Sequence, residues 1–194
     1  RQCHLACRQG EKSTAMDAFR NLCESPIEAS WPINSSLQSL RAAGWSDEAD
    51  RILKESIESR LFNAHAVLLW LDGPAASEMP PAEQLDVLDR AIARHPRFPY
   101  AYDRRAELLV RLDRWDDAVE ACRPKVFEGN LPIILRGRAA WVEYQRGRRQ
   151  RGIDLMEQVL AEEPDYYWGW QRLADWFELD NGFHPRLNLR CTPQ

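Results

Sequence analysis

Glycine is scarce in this chain, at nine of 194 residues, and runs of β-branched residues are missing. Both shortages weigh against a sheet protein, because strands draw on Val, Ile, Thr and rings, and their tight turns draw on glycine. Ala, Leu, Arg and Glu dominate instead. These residues lose little rotamer freedom in a helix, so an all-α fold is expected. With 44% apolar residues the chain can bury a core. No apolar run approaches the ~18 to 20 residues that a membrane-spanning helix needs, and the N-terminus lacks the basic-then-apolar pattern of a secretory signal. A soluble chain with no membrane partner is expected. It begins at Arg1 rather than Met, as expected of a processed chain or a piece of a longer one.

The five cysteines, at 3, 7, 23, 122 and 191, are odd in number and irregular in spacing, which is not a disulfide framework. A reducing, cytoplasmic setting is expected. Cys3, His4 and Cys7 with Cys23 come nearest to a metal set, but no second closely spaced pair completes a zinc site. They read as small, apolar-like residues of a helical segment, and no metal or cofactor is expected. The four histidines are dispersed, and neither an HExxH motif nor a glycine-rich phosphate loop is present. No catalytic residue is named, and the chain is expected not to be an enzyme. Its net charge of −4 argues against nucleic acid. Residues 97 to 151 do hold thirteen Arg and Lys against eight Asp and Glu, while residues 152 to 180 hold eight acids against one Arg. The basic run QRGRRQRG, 145 to 152, has no interleaved rings, and its arginines are expected to be solvated around a turn at Gly147.

The helices repeat. Superposing HPRFPYAYDRRAELL (95 to 109), GNLPIILRGRAAWVE (129 to 143) and EPDYYWGWQRLADWF (163 to 177) places Pro96, Asn130 and Pro164 at 34-residue intervals. In that frame Tyr102, Arg136 and Trp170 share one position, and Ala106, Ala140 and Ala174 another. Twelve residues beyond two of these alanines stand Ala118 and Gly152, small again. Small residues at matched places let two helices approach closely, so each unit predicts a helical hairpin. Another step of 34 residues back lands at Phe62, before NAHAVLLWLDG, a proline-rich turn and PAEQLDVLDRAIARHP. Further upstream, Trp45 and Trp115 each precede an acidic pair and an alanine, Ala49 or Ala118. Pro124 falls inside the second helix of its unit and predicts a kink near residues 120 to 124.

This pattern resembles the tetratricopeptide repeat (TPR), with a large ring at position 4, Leu at 7, a small residue at 8, a ring at 11, Ala at 20 and Pro at 32. Trp170, Leu173, Ala174 and Phe177 match in the last unit, and Tyr102, Ala106, Leu109, Ala118 and Cys122 in an earlier one. Between them Arg136 and Glu143 stand where rings are expected, while Ala139, Ala140, Gly152, Met156, Val159 and Pro164 agree. The resemblance implies a TPR-like α-solenoid of about four to five stacked hairpins. Residues 1–35 are then an N-terminal cap or degenerate repeat, 36–180 the array and 181–194 a poorly structured tail. A weaker resemblance is to protein prenyltransferase alpha subunits, through the spacing of Pro164, Tyr167 and Trp170; Leu173 departs from it. That likeness implies a non-catalytic subunit that binds a catalytic partner. Trp170, Phe177 and Tyr167 are expected to pack between helices, whereas Trp168 and Trp176 fall off that stripe.

In the TPR family the first helix of each hairpin lines a groove, through positions 2, 5, 6, 9, 12 and 13. Position 6 here reads Arg104, Arg138 and Arg172, a ladder of guanidinium groups suited to carboxylates. The groove positions also supply Tyr100, Arg111, Trp141, Tyr144, Gln145 and Trp168. The resemblance implies a protein or peptide partner, acidic or carboxylate-terminated. The same residues also fit a solvated helix face laced with weak pairs, since Asp103, Glu107, Asp175 and Glu178 lie nearby. After Phe177 no amphipathic second helix follows, which predicts a partner, self-association or a continuation at that end. The final CTPQ has the form of a prenylation box, but Thr and Pro suit its aliphatic positions poorly, and no lipidation is expected.

Overall fold

The computed structural model describes residues 1–25, 30–58 and 63–179, and among these every regular element is helical. Two compact units divide the chain, residues 1 to 104 and 105 to 194. The first holds α1 (Gln2–Gln9), α2 (Lys12–Cys23), α3 (Trp31–Ala42), α4 (Ser46–Glu58), α5 (Ala64–Leu71), α6 (Pro74–Ser77) and α7 (Pro81–Arg94). Helix α8 (Pro99–Arg111) runs from the first unit into the second, which continues with α9 (Trp115–Ala121), α10 (Ile133–Gln145), α11 (Arg149–Glu162) and α12 (Tyr167–Leu179). Within the first unit α1 packs on α2, α3 on α4, and α5 on α7; within the second α9 packs on α10, α10 on α11, and α11 on α12. Among the described residues, no helix is long and apolar enough to cross a membrane.

One turn closes these hairpins again and again. The chain goes left-handed at Gly10 (φ 74°), Gly44 (79°), Asp113 (56°) and Gly147 (88°), and the first two and the last two are each 34 residues apart. At each turn the next amide reaches back to the preceding helix: Glu11 to Ala6, Trp45 to Leu40, Arg114 to Leu109 and Arg148 to Glu143, at 2.9 to 3.0 Å. These bonds satisfy carbonyls that a helix end otherwise leaves open. The repeat period thus extends to the first two hairpins, where the prolines and alanines show no clear register.

The small residues of the repeat serve close approach. Ala106, Ala118 and Ala140 are fully buried. A Cβ at Gly152 would lie 2.7 Å from Cβ of Tyr144, 2.8 Å from its amide nitrogen and 2.9 Å from the Ala140 carbonyl oxygen. Only a residue without a side chain lets α11 lie so near α10. Two position-4 rings tie their repeats to the preceding proline. The Tyr102 hydroxyl donates to the Pro96 carbonyl at 3.1 Å, and the Trp170 indole N–H donates to the Pro164 carbonyl at 2.8 Å.

The structure corrects three expectations. Pro124 does not kink its helix: α9 stops at Ala121, and Pro124 instead leads into a 3₁₀ turn at Lys125–Phe127. A proline ring clashes with the carbonyl four residues earlier and offers no amide, so the short helix ends before it. Tyr167 is 72% exposed rather than packed, because it opens α12 and precedes its buried face. Trp176 is the packed ring, at 2% exposure, in phase with buried Leu173 and Gly169. Trp170 and Phe177 are half-buried. The tail beyond Leu179, with its CTPQ end, lies outside the described residues.

Candidate functional site

Helices α10 and α12 start one repeat apart, and side chains of the two meet. Trp176 of α12 stacks on Tyr144 of α10, with ring centroids 4.2 Å apart and planes 6° apart. Tyr144 is therefore core, at 7% exposure, and not the groove residue that its repeat position predicts. Its backbone also carries the close contact with α11, from which the Arg149 guanidinium approaches the ring at 5.9 Å.

Six residues toward the start of α10, the Arg138 guanidinium carbon sits 4.8 Å from the Trp141 ring centre and 5.1 Å from that of Trp168 on α12. Arg172 approaches the same Trp168 at 5.8 Å. Two arginines of the predicted ladder thus share one indole. Each such contact is worth ~0.5 to 2 kcal/mol, rising as the ring is desolvated. Trp168, off the packing stripe in sequence, is half-buried between the two cations. Arg172 also pairs with Asp175 one turn on, at 2.9 Å. Gln145 and Gln171 are exposed at the margins of this face.

The third arginine belongs to the first unit. There the Arg104 side chain, 20% exposed, pairs with Asp72 at 3.0 Å. Tyr100, near the start of α8, is half-exposed and stands 5.5 Å from Phe98 and 6.2 Å from His65, ring to ring. Arg111 is exposed and bonded to Glu107 one turn before it on the same helix.

The basic run between α10 and α11 behaves otherwise than expected. Glu143 is buried to 3% exposure, and Arg148 reaches its carboxylate at 3.3 Å, with Arg146 and Arg151 at 3.9 Å. Arg146 also meets Asp116 on α9 at 3.2 Å. Three arginines of the run thus gather round one carboxylate instead of being merely solvated. The signal was present in sequence, since Glu143 occupies the column where the repeat expects a ring and the arginines follow within eight residues.

The cysteine cluster at the N-terminus is packed. Cys3 and Cys23 are buried, and the His4 ring lies within 3.0 Å of Ser35 Oγ and 2.6 Å of Ser39 Oγ on α3. Burial, followed by the charge of Cys3, pushes the Cys7 thiol up to about 11, and burial pushes Cys23 up to about 12. Both are held as neutral thiols. No group of three or more metal-ligating side chains occurs among the described residues.

No protein-family model matches the chain. A stretch of 68 residues, 34% of the chain, is 38% identical to mouse Sperm-associated antigen 1, and the match spans only 7% of that protein's length. Similarity of structure is far broader. A tetratricopeptide repeat protein from Parabacteroides merdae superposes with a TM-score of 0.63 at 13% identity, covering 92% of this chain and 70% of the other. YrrB, a TPR protein with an unusual peptide-binding site, gives 0.56 at 14% identity over 89% of this chain and 88% of its own. The MamA protein gives 0.54 at 16% identity, covering 84% and 88%. With the repeated turns, the paired small residues and the proline-bound rings, these likenesses establish that the chain has the TPR-like α-solenoid fold.

Proposed function

We propose that the chain is a protein-interaction module whose α10/α12 face binds an acidic or carboxylate-terminated peptide segment. The observation that carries this reading is the shared placement of Arg138 and Arg172 on Trp168, with Trp141 also against Arg138. A guanidinium lying on an indole keeps its in-plane N–H donors directed outward while its faces are desolvated, an arrangement suited to gripping a carboxylate. Asp175 holds Arg172 in position and is the group that an incoming carboxylate would displace or join. The peptide-binding site named for YrrB supports the same use of this fold. No catalytic step is assigned to the chain. Arg104 and Tyr100 are further candidate contacts in the first unit, and Arg111 is one in the second.

The test is fluorescence anisotropy of a labelled glutamate-rich peptide against the wild type, Arg138→Ala and Arg172→Ala, with a glutamine-for-glutamate peptide as control. Each substitution should weaken binding about tenfold, the usual worth of one charge-assisted hydrogen bond. The wild-type affinity should fall with added salt. Equal affinity of all three proteins for the acidic peptide, or of the wild type for both peptides, removes the arginine pair from the argument.

A further inference from the structure

The first unit contains a cleft of about 710 Å³ where the C-terminal end of α7 and the starts of α3, α5 and α8 come together. Its size lies within the range of ligand sites. Five aromatic rings line it: Trp31, His65, His95, Phe98 and Tyr100. His65 meets Phe98 edge to face at 4.7 Å, and Tyr100 leans against both, so these three form one continuous surface. Trp31, at the first position of α3, is 72% exposed, and Tyr100 is 49% exposed. Such rings offer apolar area to solvent that nothing in their own helices requires.

The charge of this cleft runs against the rest of the chain. Arg94, His95 and Arg97 line it beside His65, and no Asp or Glu is among the described residues that do, in a chain of net charge −4. The starts of α5 and α8 open on it as well and add their positive dipole ends. Pro96 and Pro99 fix the backbone that carries Arg97 and Phe98, which reduces the ordering cost of binding.

We propose that this cleft is a second binding site, separate from the α10/α12 face, and that it takes an acidic peptide segment bearing an aromatic side chain. The ring enters between Trp31 and the Phe98–Tyr100 surface. Its flanking carboxylates meet Arg97 and Arg94. A short acidic segment needs only these local cations, whereas a nucleic acid collects its affinity over many phosphates and is disfavoured by the overall negative charge. Sequence reasoning reached only Tyr100 here, because the lining comes from three segments about thirty residues apart.

The experiment uses the full chain and a peptide of the form Glu-Glu-X-Glu-Glu, in which X is the photoreactive ring benzoylphenylalanine. The crosslinked residues are then located by mass spectrometry. Crosslinks at Trp31, Phe98 or Tyr100 are expected, with affinity about tenfold lower in Arg97→Ala and in Trp31→Ala. Both residues are exposed, so circular dichroism should show unchanged folding in each variant. The same crosslinks should persist in the double variant Arg138→Ala, Arg172→Ala, which separates this site from the α10/α12 reading. Crosslinks confined to Trp141 and Trp168 overturn the cleft and leave the other face standing. Equal capture of the glutamine analogue, or tighter binding of an oligouridylate than of the peptide, also overturns the proposal.

Discussion

Trp176 lies flat on Tyr144 at a centroid distance of 4.2 Å, and this one contact joins the first helices of two successive repeats. Tyr144 in turn abuts Gly152 of α11, so three helices meet at the pair. Stacked rings add ~0.5 to 1.5 kcal/mol beyond the burial of their area.

Trp176→Ala should therefore destabilise the chain by ~3 to 5 kcal/mol, the usual loss for a buried large ring. Trp170→Ala should cost less, because Trp170 is half-buried and loses mainly its bond to the Pro164 carbonyl. Urea unfolding followed by far-UV circular dichroism measures both. A larger loss for Trp170 than for Trp176 would show that the phase of α12 has been misread.

The fold was legible in sequence where sterics leave no choice. Ala106, Ala140, Ala118 and Gly152 are small because helices touch there, and no other residue type satisfies that contact. Ring positions were less legible. Rings at 166, 167, 168, 170, 176 and 177 nearly encircle the start and end of α12, so counting them cannot set the buried face. Leu173 and Gly169 set it, and they put Trp176 inside and Tyr167 outside. The Gly10 and Gly44 turns were readable at their 34-residue spacing, but a frame built on prolines and alanines passes over them. Of the groove candidates, Arg138, Trp141, Trp168 and Arg172 come together, whereas Tyr144 is lost to the core. A repeat position specifies a helix face to within about one residue's rotation. Tyr144 lies at the edge of its face, where the Trp176 ring captures it.

The cluster around Glu143 yields a second prediction. One buried carboxylate faces Arg146, Arg148 and Arg151, of which Arg148 and Arg151 keep over half of their side-chain surface exposed. Glu143→Gln keeps the shape and removes the charge, leaving three cations near one another. The arginines can turn to water, so the loss should be ~1 to 3 kcal/mol, below that for a fully buried pair. Half-molar salt should narrow it. Asp116→Asn removes a 94% exposed partner of Arg146 and should change stability by at most ~1 kcal/mol. Equal losses for the two variants would mean that Glu143 does not organise the turn.

The buried thiol of Cys23 predicts how stability varies at high pH. Burial raises it from its ordinary 9.0 to about 12, with Glu24 adding to the rise and Arg20 opposing it. The folded state therefore favours the neutral thiol. Unfolding releases the proton more readily once pH exceeds 9, so the unfolded state binds fewer protons than the native state between about 9 and 12. The contribution is complete below pH 9 and is lost as pH rises toward 12. Lysines and tyrosines also titrate in that window, so the comparison is with Cys23→Ala, which lacks the thiol but keeps every other group. The variant should be less stable at pH 7, through the lost sulfur contacts, yet its urea midpoint should fall less steeply between pH ~8 and ~10.5 than that of the wild type. Labelling at pH ~8 should agree, with Cys23 modified only after unfolding, because the thiolate is the reactive form. Parallel midpoint curves for the two proteins, or rapid labelling of Cys23 in the folded chain, would show the thiol to be less buried than its place on the packed face of α2 implies.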